Sequence, residues 1–297
     1  MKLGIDVSRY KHSEATGVEW YSKHIVDAFL PMMNEAQEID EVSFYSPRDF
    51  SLPLMSSKFK KRIIPFPRLW TQARLSYEIL TNTPDTLFVP SHTIPIIYPR
   101  KSVITIHDVA FMRFKLSYSF AQYRYLFWST KFAVKNAHRI IVPSEATKKD
   151  LLHFFKCDES KIRVVRHGQP DFVKNGSADL SRFSINGAPY ILFMGRLESK
   201  KNLLHLLDAF AGFAKEFPEW KLVLAGKDGV GSSEIKKKIE GLEADVVLAG
   251  YVSENEKAAL YSGAQFVAFP SLYEGFGFPI LEAFQHEKPL LTSKGSA

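Results

Sequence analysis

Apolar residues along this chain fall into two kinds of run. Short ones, bounded by glycine, proline or charge, recur at Lys2–Val7, Val42–Tyr45, Arg62–Ile64, Leu87–Val89, Val103–Ile106, Arg139–Val142, Arg163–Val165, Tyr190–Met194, Leu222–Ala225, Val246–Ala249, Ala264–Phe269 and Pro289–Thr292. They read as strands buried in a parallel sheet. Between them lie segments with apolar residues at helical spacing. One carries Trp20, Tyr21, His24, Ile25, Ala28 and Phe29, and Leu203–Phe217 carries Leu203, Leu206, Leu207 and Phe210. Strand and helix alternate throughout, which predicts an α/β fold of doubly wound parallel sheets. The polar segment His167–Pro189 holds Gly168, Gly176, Gly187, Pro170 and Pro189 and marks a domain boundary. The expected division is a first domain at 1–168, a linker at 169–188 and a second domain at 189–297.

Composition narrows the picture. The 297 residues are 45% hydrophobic and 24% charged, as in a water-soluble globular protein of two ordinary domains. The single cysteine, Cys157, excludes an intrachain disulfide and suits a reducing compartment. No signal-peptide pattern opens the chain and no apolar run is long enough to span a bilayer, so a cytoplasmic location is expected. The net charge of +7 is uneven: residues 1–186 hold 27 Lys and Arg against 18 Asp and Glu, and the remainder holds 12 against 14. The first half therefore points to an anionic partner. Nucleic acid is not expected, because no helix-turn-helix, zinc-ligand or RNA-binding signature accompanies the charge. Lys58–Leu75 mixes Lys58, Lys60, Lys61, Arg62, Arg68 and Arg74 with Phe59, Phe66 and Trp70, which suits either an anionic membrane interface or a solvated basic face. Ser117–Ala137, aromatic and basic, reads as a packed helix first and a surface anchor second.

Candidate chemistry gathers where strands end. After Ala264–Phe269 comes FPSLYEGFGFPILE, with a turn at Pro270-Ser271, then Glu274, Gly275, Phe276 and Gly277, and Pro279 in the first turn of a helix carrying Glu282. Such a helix start suits a phosphate or an oxyanion, and two carboxylates suit the hydroxyls of a polyol. By spacing alone an ordinary strand-to-helix turn fits as well. After Tyr190–Met194 come Gly195, Arg196, Lys201 and Asn202, where two cations can converge on one diphosphate. After Val103–Ile106 come His107 and Asp108, and ahead of the first helix stands Gly17.

These segments resemble the retaining glycosyltransferases of family 4 (group 1), which have the two-domain GT-B fold. SLYEGFGFPILEA resembles the family's donor-site Glu-x7-Glu signature. GRLESKKN resembles its phosphate clamp, GYVSENEKAALYSGA its nucleotide-base segment, and TIHDVAF its first-domain His-Asp segment. The resemblance implies two Rossmann-like domains facing a cleft. Glu274 with the Gly275, Phe276 and Gly277 amides would hold sugar and phosphate, and Glu282 the ribose. Arg196 and Lys201 would hold the diphosphate beside Gly195 and Asn202, and Tyr251 and Val252 would lie at the base. Gly17 would face the diphosphate from the first domain, and His107, oriented by Asp108, would sit beside the reacting sugar. His167-Gly168 stands where the family has Asn-Gly. Family members continue with more second-domain structure and a final helix, so the second domain is expected to be incomplete.

The implied activity is transfer of a hexose, with retention, from a nucleotide-diphosphate sugar to a glycan or lipid-linked acceptor in cell-surface polysaccharide synthesis. Domain closure would exclude water. LESKKN favours GDP-mannose over a UDP-sugar. No cofactor is implied. Neither an Asp-x-Asp pair nor zinc-ligand spacing occurs, so no metal is expected. An epimerase or phosphorylase on the same plan, or a catalytically silent nucleotide-sugar-binding protein, stays open. A dehydrogenase fits less well, because the turn VSRYKHSEATG lacks the glycine fingerprint.

Overall fold

The computed structural model describes residues 1–11, 16–168 and 178–294. They form two compact units, one made of Met1–Arg113 and Phe120–His167, the other of Gly168–Ala297 with Phe114–Ser119. In the first unit the order is β1 (Lys2–Asp6), α1 (Gly17–Glu35), β2 (Glu41–Ser46), β3 (Phe59–Ile63), α2 (Ser76–Thr81), β4 (Thr86–Val89), β5 (Lys101–Thr105), α3 (Ala110–Arg113), α4 (Phe120–Asn136), β6 (Arg139–Val142), α5 (Glu145–Phe155) and β7 (Ile162–Val164). The second runs β8 (Tyr190–Met194), α6 (Leu203–Glu216), β9 (Lys221–Ala225), α7 (Ser232–Glu240), β10 (Val246–Gly250), α8 (Glu254–Gly263), β11 (Phe266–Phe269), α9 (Phe278–Gln285) and β12 (Leu290–Thr292).

Each unit is one parallel sheet, ordered β3-β2-β1-β4-β5-β6-β7 in the first and β10-β9-β8-β11-β12 in the second. Central strands are apolar on both faces because helices cover both: every residue of β8, YILFM, is buried. In both sheets the order reverses beside the first strand, at β1/β4 and at β8/β11. There the connections leave in opposite directions and open a crevice beyond the strands' carboxyl ends.

The most buried face of α1 carries Ser22, Val26, Leu30 and Met33, with Ile25 and Phe29 packed beside it against the core. Both this face and the Trp20–Phe29 stripe keep helical spacing. Trp20 and His24 lie farther out and stack at 5.3 Å. The expected linker spans residues 169–188. Residues 169–177 fall outside the described part, and beyond them Phe183 and Ile185 are buried in the second unit's core with Tyr190 and Leu192.

The basic stretch at 58–75 is largely used internally. Lys58 Nζ donates to the carbonyls of Asn34 (3.0 Å) and Ala36 (2.8 Å) at the C-terminal end of α1, where a cation offsets the helix dipole. Lys60 pairs with Glu41, Lys61 binds the Phe50 carbonyl, and the buried Trp70 donates to the Ile64 carbonyl at 2.8 Å.

Phe183→Ala is expected to cost about 3 kcal/mol and to lower the unfolding midpoint. A linker residue would cost nothing, and a thermal melt of the two proteins decides between them.

Candidate functional site

In the second unit the crevice between β8 and β11 gathers the expected donor residues. Gly195 follows β8 at φ +148, its N–H donating to the Ala225 carbonyl at 2.9 Å. A Cβ on the neighbouring Gly226 would lie 1.9 Å from the Gly195 carbonyl oxygen, so the two chain segments approach this closely only through glycine. Arg196, more than half exposed, reaches Glu198 (Nε to Oε1, 3.3 Å) and donates to the Asp228 carbonyl at 3.2 Å. One turn, Ser199–Lys201, and the left-handed Asn202 (φ +60) then lead into α6.

From the other side, β11 delivers Pro270–Gly277 to α9, with Gly277 at φ +96 ahead of the helix and Pro279 in its first turn. The two loops are tied by a hydrogen bond from the Leu272 N–H to the Lys200 carbonyl at 2.9 Å. They are tied again by an ion pair between Lys201 Nζ and Glu274, both side chains mostly enclosed, with the ammonium 5.1 Å from the Phe269 ring centroid. The cation expected for a diphosphate and the carboxylate expected for a sugar therefore hold each other. Beside them the Ser271 hydroxyl is buried without a partner among the described residues.

Glu282 is buried on α9. Its Oε2 accepts from Tyr261 Oη at 2.7 Å and its Oε1 from Lys257 Nζ at 3.1 Å, both from α8. Burial, followed by the Glu282 charge, pushes the Tyr261 phenol well above the usual range. Tyr251 stands half-exposed after β10 under the Lys227 ammonium (4.6 Å to the ring centroid). The Val252 side chain lies in the core, so that residue offers a ligand only its backbone.

In the first unit Asp6 ends β1 at the corresponding crevice. It is buried, accepting from the Ser8 N–H at 2.8 Å through Oδ1 while Oδ2 finds no partner among the described residues. Burial raises its pKa. His107 follows β5 with Nε2 3.1 Å from the Pro90 carbonyl. A carbonyl only accepts, so Nε2 carries the proton and Nδ1 is left as an acceptor in the neutral ring. The expected orienting role of Asp108 is therefore filled by Pro90, and Asp108 instead accepts from the Ala110 N–H at 2.9 Å at the start of α3. Tyr21 of α1 bonds Thr105 (3.1 Å) and sets its ring against His107 (4.7 Å) and His167 (4.5 Å). Gly17 opens α1 with nothing within 4 Å of where a Cβ would stand. Burial lowers the pKa of His107, and takes His92 to about 4 and His167, also facing His107, to about 3.

Sequence reasoning missed Asp6, His92, Tyr21, Lys257 and Tyr261 as site neighbours. His92 stands three residues after β4, as His107 stands two after β5, so strand-end position marks it. Lys257 and Tyr261 are separated by one helical turn and face Glu282 only through the packing of α8 on α9. A cavity of about 340 Å³ lies elsewhere, lined by Lys2, Glu41, Lys60, Arg62 and Asn82 toward the starts of β1–β3. Among the described residues no group of three His, Cys, Asp or Glu is placed to hold a metal ion, and no helix is long and apolar enough to cross a membrane.

Imidazoles with depressed folded pKa values contribute stability above about pH 6.5 that is lost as pH falls toward their folded values. The unfolding midpoint is thus expected to drop between pH 6.5 and pH 5, with His92 and His167 each losing about 2 kcal/mol. In His167→Asn the profile flattens. Melting curves across that range check both.

The family model for glycosyl transferases group 1 matches residues 181–297, and that for glycosyltransferase family 4 matches residues 22–169. O-antigen chain mannosyltransferase B of Escherichia coli is 25% identical over 201 residues, 65% of this chain and 53% of that protein. GDP-mannose:cellobiosyl-diphosphopolyprenol alpha-mannosyltransferase of Xanthomonas oryzae pv. oryzae is 30% identical over 131 residues, 42% of this chain and 32% of that protein. The chain thus spans about half or less of the length of these relatives. The crystal structure of Anabaena Alr3699/HepE with UDP and glucose superposes with a TM-score of 0.69 at 18% identity, covering 100% of this chain and 81% of that one, and shares the fold.

Proposed function

We infer that this chain, which belongs to the family 4, group 1 glycosyltransferases and has their GT-B fold, moves a hexosyl group from a nucleotide-diphosphate sugar to a glycan or lipid-linked acceptor in polysaccharide synthesis. One observation carries the reading: at the reversal point of the second sheet Lys201 and Glu274 hold each other ahead of the Gly277 helix start, with Arg196 following the end of β8. In the proposed reaction the glycosidic bond to the diphosphate breaks, and Arg196, Lys201 and the Gly275–Gly277 backbone meet the charge that grows on the leaving group. These groups supply positive charge without a metal. Glu274 takes the sugar hydroxyls and Glu282 the ribose. His107, protonated on Nε2, accepts a sugar or acceptor hydroxyl at Nδ1. Retention of configuration follows from the family, and no covalent nucleophile is assigned. Mannose from GDP-mannose is the favoured donor, supported by the LESKKN segment and by the names of the mannosyltransferase relatives; a UDP-sugar is the alternative.

UDP or GDP is expected to raise the unfolding midpoint, and Arg196→Ala to abolish that shift and slow donor turnover by about 10²–10³-fold. A folded chain that no nucleotide stabilises would overturn the reading. Nucleotide binding with no turnover on any acceptor would make the chain a nucleotide-sugar-binding protein instead.

The proposed setting is the inner face of the cytoplasmic membrane, with peripheral contact through the first unit. The supporting surface is not formed by Lys58, Lys60 and Lys61, which are engaged internally. It is an apolar face of Tyr77 and Leu80 on α2, Ile96 and Ile97, and Phe120 and Trp128 on α4, all at least 40% exposed. Ser76 accepts from the Ile96 N–H at 2.8 Å, and Gln72 bonds Tyr125 of α4 at 2.8 Å, which joins these segments. Arg74 lies over Tyr77 and Arg124 over Phe120, an arrangement suited to an anionic interface. Binding to vesicles containing phosphatidylglycerol is expected to fall severalfold in Trp128→Ala/Arg124→Glu and to persist in Lys60→Glu. Sedimentation measures it, and equal binding by all three proteins would remove the contact from this face.

A further inference from the structure

Glu282 is enclosed to an unusual degree for a group proposed to meet a ligand, and what encloses it comes from α8. Lys257 and Tyr261 stand four residues apart on that helix, hence on one face. Both reach the same carboxylate, the ammonium at Oε1 and the phenol at Oε2. Each carboxylate oxygen has two lone pairs, so after these bonds one on each remains for a ligand. An enclosed carboxylate with no counter-charge is costly, and Lys257 supplies that charge from a side chain only 15% exposed. Glu254, farther out, holds the same ammonium at 2.8 Å and keeps the lysine from swinging away. His286 lies flat on the Tyr261 ring, 5.2 Å between centroids and 5° between planes, and fixes the phenol from behind.

We propose that Lys257 is a positioning residue which, with Tyr261, holds Glu282 so that its two remaining lone pairs face the vicinal hydroxyls of a nucleotide ribose. This rests on the donor-site reading above and adds to it the groups that aim the ribose carboxylate. Burial works against the lysine charge, but Glu282 and Glu254 outweigh it and the Lys257 pKa lies above its ordinary value, so the clamp stays charged through the neutral range. Lys257 itself touches no part of the donor. Its effect is confined to the ribose hydroxyls, and that confinement makes it measurable.

The test is a cycle between protein and ligand, run by calorimetry on the full chain with UDP, GDP and their 2′,3′-dideoxy forms. In the wild-type chain, loss of the diol is expected to weaken the preferred nucleotide about tenfold. In Lys257→Met the intact nucleotide binds about as weakly as the dideoxy form, whose own affinity is unchanged, and Lys257→Arg restores most of the difference. In turnover Lys257→Met raises the donor KM with kcat held within about twofold. Equal weakening of both nucleotides, or a diol preference that survives in Lys257→Met, overturns the inference while leaving the donor site standing. If Lys257→Met does not fold, Tyr261→Phe, which deletes one bond and no charge, enters the same cycle with the same two outcomes. A wild-type chain that binds neither UDP nor GDP overturns the donor-site reading and this inference with it.

Discussion

Two parallel strands whose connections depart in opposite directions set the conditions for everything at the second unit's crevice. β8 and β11 lie side by side, yet one leads toward β9 and the other toward β12, so no connection covers their carboxyl ends. The loops that flank the gap stay close because glycine lets backbone meet backbone. Gly195 donates to Ala225 and Gly226 to Gly250, and the Gly226 position has no room for a side chain. Lys201 and Glu274 owe their proximity to this arrangement of main chain rather than to any nearness in sequence.

The crevices of the two units differ in electrical character. The second is ionic, with Lys201 against Glu274 and Lys257 against Glu282. The first is made of rings held neutral by burial, His92, His107 and His167, with Tyr21 among them. Neutral imidazoles and a phenol suit uncharged hydroxyls and the faces of sugar rings, whereas the cations of the second crevice are already held by carboxylates. The surplus positive charge of the first half of the chain is thus carried outside its crevice, on residues such as Arg74, Arg124 and the lysines of β3.

Much of the architecture was legible in the sequence because a parallel sheet buries its strands on both faces and leaves unbroken apolar runs such as YILFM. The motif residues after β8 and β11 were legible for a related reason, since a strand end followed by glycine and charge has few structural uses. Other features depend on packing that no local pattern records. Two stripes on α1 have equal spacing, and only the sheet chooses Val26 and Leu30 over Trp20 and His24. Phe183 sits among glycines and polar residues and reads as linker until its ring is found in a core. Asp108 adjoins His107 in sequence, yet a carbonyl from β4's loop does the orienting.

The ion pair between Lys201 and Glu274 has a bearing on selectivity. Glu274 already neutralises the lysine, so any anion that approaches it competes with an internal one at very high effective concentration. A bare phosphate that displaces Glu274 leaves that carboxylate enclosed and without a partner, and so gains little. A ligand carrying hydroxyls next to its phosphate gives the carboxylate new bonds in exchange for the one it breaks. For the donor site proposed above, the pair is thus an internal occupant that only a bifunctional ligand replaces in full.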